Sequence, residues 1–475
     1  MSILRYFMLT AVLAGTQILS VAQSTQGQGA EEPRATPQPA LSGIMGVDTQ
    51  VGEEDTSSSL PRIPRILGGQ GPSLEFRTEQ ERSNYLHGGI NVGASYDDNA
   101  SLASHGAVSN TTYSVFPNVR IEQTFSRMRW DLGYAAGFTV NQRLSNQNQG
   151  SHALNFDSQF RLSPHVTLRV QEGFSLTTGF FDSGNVNVVG GGGPNSNLIA
   201  PLSKERSNST VGEADYHFAL NDVMGASGSF NGLHYTDQAP GAVLADNRSA
   251  SGSAFWLHGF GRDWIGASYH FQHLTFDPSE GAVGVVSGVT DVHSFLAVNT
   301  ITLPSRLTLS GFVGPEYSDN SGLVAGGAEQ ASHFTDWSVA GGVEVDWQRD
   351  HTAVAAGFSR RIADGGGISG VVRLQGVHAN FRQELFPGWA LGLSASYGNN
   401  KSLTVPIAGA ASSINTASGG ASLERNLGRN LGLHIGYSHE FQDQTGTLDP
   451  NFLGGAHRNR FFVTLGYQWA RPLGR

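Results

Sequence analysis

Hydrophobic and polar residues alternate strictly along Arg129–Gln142. Trp130, Leu132, Tyr134, Ala136, Phe138 and Val140 share one face of an extended chain, and Asp131, Gly133, Ala135, Gly137, Thr139 and Asn141 share the other. One face is apolar for its whole length, while the other is small or polar throughout. A half-buried soluble strand alternates in the same way, but usually for about half as many residues. A strand of roughly ten residues whose outer face is apolar and capped by an aromatic is what a bilayer-spanning barrel requires.

The same device recurs after Tyr85. Leu86–Asp97 groups Ile90, Val92, Ala94 and Tyr96. Tyr113–Phe125 sets Val115, Val119, Ile121 and Phe125 against Asn118, Arg120, Glu122 and Thr124. Further on, Leu154, Phe156, Phe160 and Leu162 alternate with Asn155, Asp157, Gln159 and Arg161. Beyond the turn Ser163-Pro164-His165, the residues Val166, Leu168, Val170, Phe174 and Leu176 alternate with Thr167, Arg169, Gln171, Ser175 and Thr177. Glu172 falls on the apolar face, a departure that a bulge or an off-centre depth would accommodate.

Short turns are expected at Ser126–Arg129, Ser163–His165, near Asn221, near Arg262, and at Pro304–Arg306, Gln348–Asp350, Phe386–Gly388 and Gly428–Asn430. Longer connections include Phe181–Ser207, Asp277–Thr290, Asp319–Ser332, Asn399–Ile414 and Gln442–His457. Eight short turns alternating with nine longer loops predict an all-β chain. The expected fold is a single antiparallel up-and-down transmembrane β-barrel of about eighteen strands, with both ends on the short-turn side. Dividing one hairpin differently gives about sixteen. Met224–Tyr235, Asn247–Gly261 and Val371–Gln383 change phase partway, so the faces of these strands are not assigned by pattern.

Composition narrows the class. Charged residues make up 14% of the chain and glycines number 62, a mix suited to a β-rich protein with many turns. No internal apolar run reaches the roughly 18 residues of a membrane helix. With no cysteine there is no disulfide, thiolate metal site or cysteine nucleophile. A net charge of −10 without a basic stripe disfavours nucleic acid as a partner. Arg5, the mostly apolar Tyr6–Val21 and the small-x-small Ser20-Val21-Ala22 read as a cleaved signal peptide over residues 1–22. Residues 23–84 read as a flexible Pro/Gly/Ser-rich periplasmic extension, with one helical turn around Glu75–Arg82; Leu60–Leu67 could alternatively plug the barrel. The barrel itself occupies 85–475.

The aromatics favour a membrane barrel over a soluble sandwich. Trp130, Trp264 and Trp389 follow short turns, and Trp347 and Trp469 precede a short turn or the chain end. Tyr96, Tyr113, Tyr235, Tyr317 and Tyr397 stand near the long-loop ends. Two belts of rings match interfacial girdles. Val463, Leu465, Tyr467 and Trp469 alternate in a last strand that resembles the C-terminal signal strand of outer-membrane proteins, although Ala470–Arg475 follow it. Together these features resemble the bacterial outer-membrane β-barrel porins, most closely the porin-like barrels associated with exopolysaccharide export. The resemblance covers roughly Tyr85 to Trp469. It implies short periplasmic turns, long extracellular loops, outer-membrane lipids and the barrel-assembly machinery as partners, and passage of hydrophilic solutes or polysaccharide.

A barrel of this size encloses a water-filled channel unless it is plugged. Arg120, Glu122, Asp131, Asp157, Arg161 and Arg169 are the expected lumen-lining residues, biasing passage through a transverse field. Pairing Phe125 with Trp130 sets Glu122 opposite Gly133 and Arg120 opposite Ala135. Pairing Leu162 with Val166 sets Asp157 opposite Gln171 and Gln159 opposite Arg169.

Catalysis is not expected, because His217, His234, His270, His273 and His439 show no triad or paired-carboxylate setting. His270 and His273 point to opposite strand faces and cannot share a metal, and no cofactor is expected. Gly190–Gly193 lacks the lysine and helix of a phosphate loop. An autotransporter needs a larger leading domain, and a plugged siderophore-type transporter needs a folded plug and about twenty-two strands. The alternative is a non-conducting barrel that displays adhesive loops.

Overall fold

The computed structural model describes residues 84–100, 106–144, 148–178, 204–236, 245–278, 287–304, 306–324, 330–365, 369–403, 413–445 and 455–473. The readings of a signal peptide, of a periplasmic extension as far as residue 83 and of Gly190–Gly193 therefore lie outside the described residues. All regular elements among the described residues are strands. They run as β1 (Tyr85–Asp97), β2 (Asn110–Thr124), β3 (Met128–Asn141), β4 (Gln149–Arg161), β5 (Val166–Thr178) and β6 (Lys204–Ala219). Next come β7 (Asp222–Thr236), β8 (Ala245–Phe260), β9 (Asp263–Pro278), β10 (Ser287–Leu303), β11 (Leu307–Val324) and β12 (Gln330–Arg349). The series ends with β13 (Thr352–Gly365), β14 (Ser369–Phe386), β15 (Trp389–Ser402), β16 (Ser413–Asn426), β17 (Leu431–Thr445) and β18 (Ala456–Pro472).

Each strand pairs antiparallel with its chain neighbours, and β18 pairs with β1, so one 18-stranded sheet closes on itself. Closure gives every strand two neighbours, the condition for crossing a bilayer with strands, although the β12–β13 ladder covers only Gly341–Arg349 of β12. Tyr85 lies opposite Pro472, placing both ends of the barrel on the short-turn side. All eight expected short turns are present. Gly261 (φ 69°) and Gly388 (φ 79°) supply the positive φ that two of them need. The strands run further than the pattern indicates: β11 extends to Val324 and β12 starts at Gln330.

Large apolar side chains are exposed on one face around the sheet, among them Ile90, Val115, Phe138, Val170, Phe230, Phe295, Phe358, Leu393 and Val463. This is the outer face. The inner faces of β2–β6 carry mostly polar or small residues, and those of β7–β12 add two clusters of buried apolar ones. Val223, Leu257, Trp264, Leu296, Val298 and Ala340 form one buried inner cluster, packed against Phe255 and Phe312. Leu274, Phe276, Val292, Ile362 and Val371 form a second. The phase changes read in β7 and β8 are these inward apolar residues. Both strands keep unbroken registers with their neighbours along those stretches.

Two aromatic expectations are corrected here. Trp264 is 7% exposed and sits inside the first cluster, not in the outer belt. It faces inward because Ile265, its neighbour, takes the outer face. Tyr235 is likewise buried, on the inner face of β7 opposite the exposed Phe230 and Met224. Trp130, Trp347, Trp389 and Trp469 stand on the outer face at the short-turn end, and Arg425 stacks over the Trp389 ring at 4.8 Å.

Candidate functional site

The inner face of β2–β5 carries a group of ionisable side chains gathered from four consecutive strands. Tyr134, Phe138 and Val140 of β3 are exposed on the outer face, so Asp131, an odd number of residues from each of them, must face inward. The register then lines up three carboxylates: Glu122 of β2 lies opposite Asp131 of β3, and Asp131 lies opposite Asp157 of β4. Like charges directly across a ladder repel. Arginines one rung away offset them. Arg120 Nε donates to Asp131 at 2.5 Å, Arg129 donates to Glu122 at 2.8 Å, and Arg169 donates to Asp157 at 2.8 Å. Gln171 adds a bond to Asp157 at 2.5 Å, and the His87 imidazole stands 4.0 Å from Glu122. These charges are partly solvated, so each pair contributes about 0–1 kcal/mol and fixes position more than stability.

Five of the six expected lumen residues therefore meet in one row. The sixth, Arg161, lies at the end of β4, exposed, and among the described residues no ion pair joins it to the row. The pairing expected for β4 and β5 is present, with Asp157 opposite Gln171 and Gln159 opposite Arg169. That expected for β2 and β3 is not. Phe125 N–H bonds Met128 C=O at 2.7 Å, which tightens the turn and starts β3 at Met128. The register moves by two residues, so Trp130 meets Gln123 and Arg120 meets Gly133. The shift brings Arg129 out of the expected turn and into the row.

Sequence reasoning also missed His87, Glu213 and Asp215. Glu213 lies opposite Arg169 and Asp215 opposite Thr167. Their signal is the period of two shared with Tyr216 and Phe218, which are exposed on the other face. The small inner residues of β3 serve two purposes. A Cβ on Gly133 would meet nothing within 4 Å, whereas one on Gly137 would fall 2.0 Å from Ser151 Oγ and 2.6 Å from the Phe116 ring. Gly133 is open space beside Arg120; Gly137 is a seat for Phe116.

On the outer face, Glu172 is neither bulged nor isolated. Asn208 Nδ2 donates to it at 2.6 Å and the Thr210 hydroxyl also donates to it, both from β6. His270 is buried on the inner face, and His273 faces out to Asp291 at 2.6 Å, so the two do not share a ligand. No cluster of three ligand-type side chains occurs among the described residues.

Fold and wall together define a transmembrane β-barrel with a charged, partly hydrated inner surface. No protein-family model matches the chain, and no curated relative matches it. Solved structures it is similar to include the ferric citrate transporter FecA in its unliganded form, at 8% identity over 82% of this chain and 79% of that one, with a TM-score of 0.46. The siderophore receptor PiuA from Acinetobacter baumannii aligns at 8% identity over 82% of each chain, with a TM-score of 0.45. The outer membrane protein OpdK from Pseudomonas aeruginosa aligns at 11% identity over 81% of this chain and 99% of that one, with a TM-score of 0.39. Likenesses at this level assign no function.

Proposed function

We propose that this barrel is an outer-membrane channel for hydrophilic solutes, inserted by the barrel-assembly machinery into outer-membrane lipid. The observation that carries the reading is the inner row Glu122–Asp131–Asp157 with its three arginines. Fixed charges held one rung apart on a wall of small residues create a field across the water beside them. Such a wall offers little to an apolar cargo, because every step along it exposes ion pairs that keep their hydration. Polysaccharide is the larger solute of the same chemistry.

The test is single-channel recording in planar bilayers with the Arg120→Gln, Arg169→Gln double variant. Two carboxylates then lose their guanidinium partners, so the reversal potential in a salt gradient should move toward cation preference. Unchanged conductance and selectivity would remove the row from the conduction path. A refolded wild-type barrel that passes no current would overturn the channel reading itself.

A further inference from the structure

The wall is not continuous between β12 and β13. Their ladder runs from Arg349–Thr352 to Gly341–Arg360 and stops there. Beyond it β12 continues through Gln330–Ala340 paired only with β11, and β13 continues to Gly365 paired only with β14. Two strand edges that should meet are apart.

The missing segment lies inside the barrel. Along the lower half of the β13–β14 hairpin, the outward pairs are apolar: Val354 with Phe381, Ala356 with Ala379 and Phe358 with Val377. On the same face further up stand Arg360 with Gln375, Ile362 with Arg373 and Asp364 with Val371. Four of those six side chains are charged or polar, a poor surface for lipid. Instead of facing lipid, Ile362, Val371 and Arg373 touch the inner faces of other strands. Ile362 and Val371 pack with Leu274 and Phe276 of β9 and Val292 of β10. The Ile362 N–H, unpaired by β12, donates to Glu316 of β11 at 3.3 Å. Arg373 donates to Asp336, on the inner face of β12. Val371 and Val372 are adjacent in the strand and 0% and 1% exposed, so both faces of β14 are covered there. The upper hairpin thus forms a second layer behind β9–β12.

We propose that this upper hairpin is a hinged piece of the wall that exchanges between the inner layer and the gap beside β12, and so sets the bore of the channel. The vacant position is open in register, and because it would turn Arg360, Asp364, Arg373 and Gln375 to the outer face it is the minor state. Extending the existing register by one rung puts Arg361 opposite Ala340, and by two puts Ile362 opposite Val339, which is already exposed on the outer face. The swing would exchange the Glu316 and Asp336 contacts for ladder hydrogen bonds between two edges that now lack them. An ion pair, a capped N–H and an apolar cluster help to hold the inner state.

The chain has no cysteine, so engineered thiols report alone. Val339→Cys with Ile362→Cys places sulfurs opposite each other only in the wall state. Val343→Cys with Phe358→Cys, directly paired now and of the same pair type, is the control. The control should oxidise fully in the membrane-inserted full-length protein. The Val339–Ile362 pair should oxidise slowly, and at least severalfold faster when Arg373→Gln removes the bond to Asp336. The crosslink does not depend on the channel reading; if that reading holds as well, the oxidised protein should show a larger single-channel step. No Val339–Ile362 crosslink in either background, with the control complete, overturns the exchange. A crosslink that forms as fast as the control in the unmodified protein overturns the inner layer as the resting state.

Discussion

The β2–β5 wall and the β9–β14 wall are built from the same strand repeat, yet their interiors differ in kind. In the first, inward positions are Arg120, Glu122, Asp131, Asp157 and Arg169, held by ion pairs across adjacent strands. In the second, inward positions are Trp264, Leu274, Phe276, Val292 and Leu296, packed into apolar clusters. The first is a single layer whose inner surface meets water, and the second a double layer with a core of its own. One barrel therefore combines the energetics of a hydrated channel wall with those of a packed protein interior.

If that contrast is right, the largest difference between the two regions should appear on truncation. Trp264→Ala should cost about 3–5 kcal/mol, the range for removing a buried aromatic. Arg120→Ala should cost about 0–1 kcal/mol, because a half-exposed ion pair holds little net energy. Urea unfolding of the barrel from lipid vesicles measures both. A Trp264→Ala loss as small as that of Arg120→Ala would mean that Trp264 is not in a core, and the two walls would no longer differ.

The same pair of residues shows what was legible in the sequence. Alternation alone places Arg120, Asp131, Asp157 and Arg169 on one face, because each sits in a strand whose other face is cleanly apolar. The register that joins them depends on turn geometry. A two-residue slip leaves every face unchanged and alters every partner, which is why Arg120 was matched to Ala135 instead of Gly133. Trp264 was misplaced for a different reason. In a strand with apolar residues on both faces, a tryptophan beside a short turn fits a girdle and a core equally well, and Ile265 competes for the outer face. The double layer had a readable trace as well: the outer alternation of β13 and β14 turns polar at Arg360 and Gln375. Pattern alone registers that change as lost phase, because it shows where lipid contact ends and not what replaces it.

A smaller effect should come from the one carboxylate on the lipid side of the β2–β6 wall. Asn208→Val with Thr210→Val removes both donors to Glu172. An unsatisfied carboxyl group on that face should cost about 1–3 kcal/mol, in the range for leaving a buried polar group without its partners. Adding Glu172→Leu should restore most of the loss, since the triple variant has nothing left to satisfy. Failure of the third substitution to rescue would show that Asn208 and Thr210 stabilise β6 independently of Glu172.

The finest test lies within β3, where two inward glycines four residues apart sit in different surroundings. Gly137→Ala drives a methyl into Phe116 and Ser151 and should cost about 1–3 kcal/mol, the usual penalty for overpacking. Gly133→Ala enters open space and should change stability by less than about 1 kcal/mol, toward stabilisation, because alanine loses less backbone entropy in a strand. The added methyl of Gly133→Ala would also stand beside Arg120 on the wetted side of the wall. Equal losses at both positions would mean that the space beside Arg120 is filled, and the hydrated surface would then begin above Gly137 and not at the charged row.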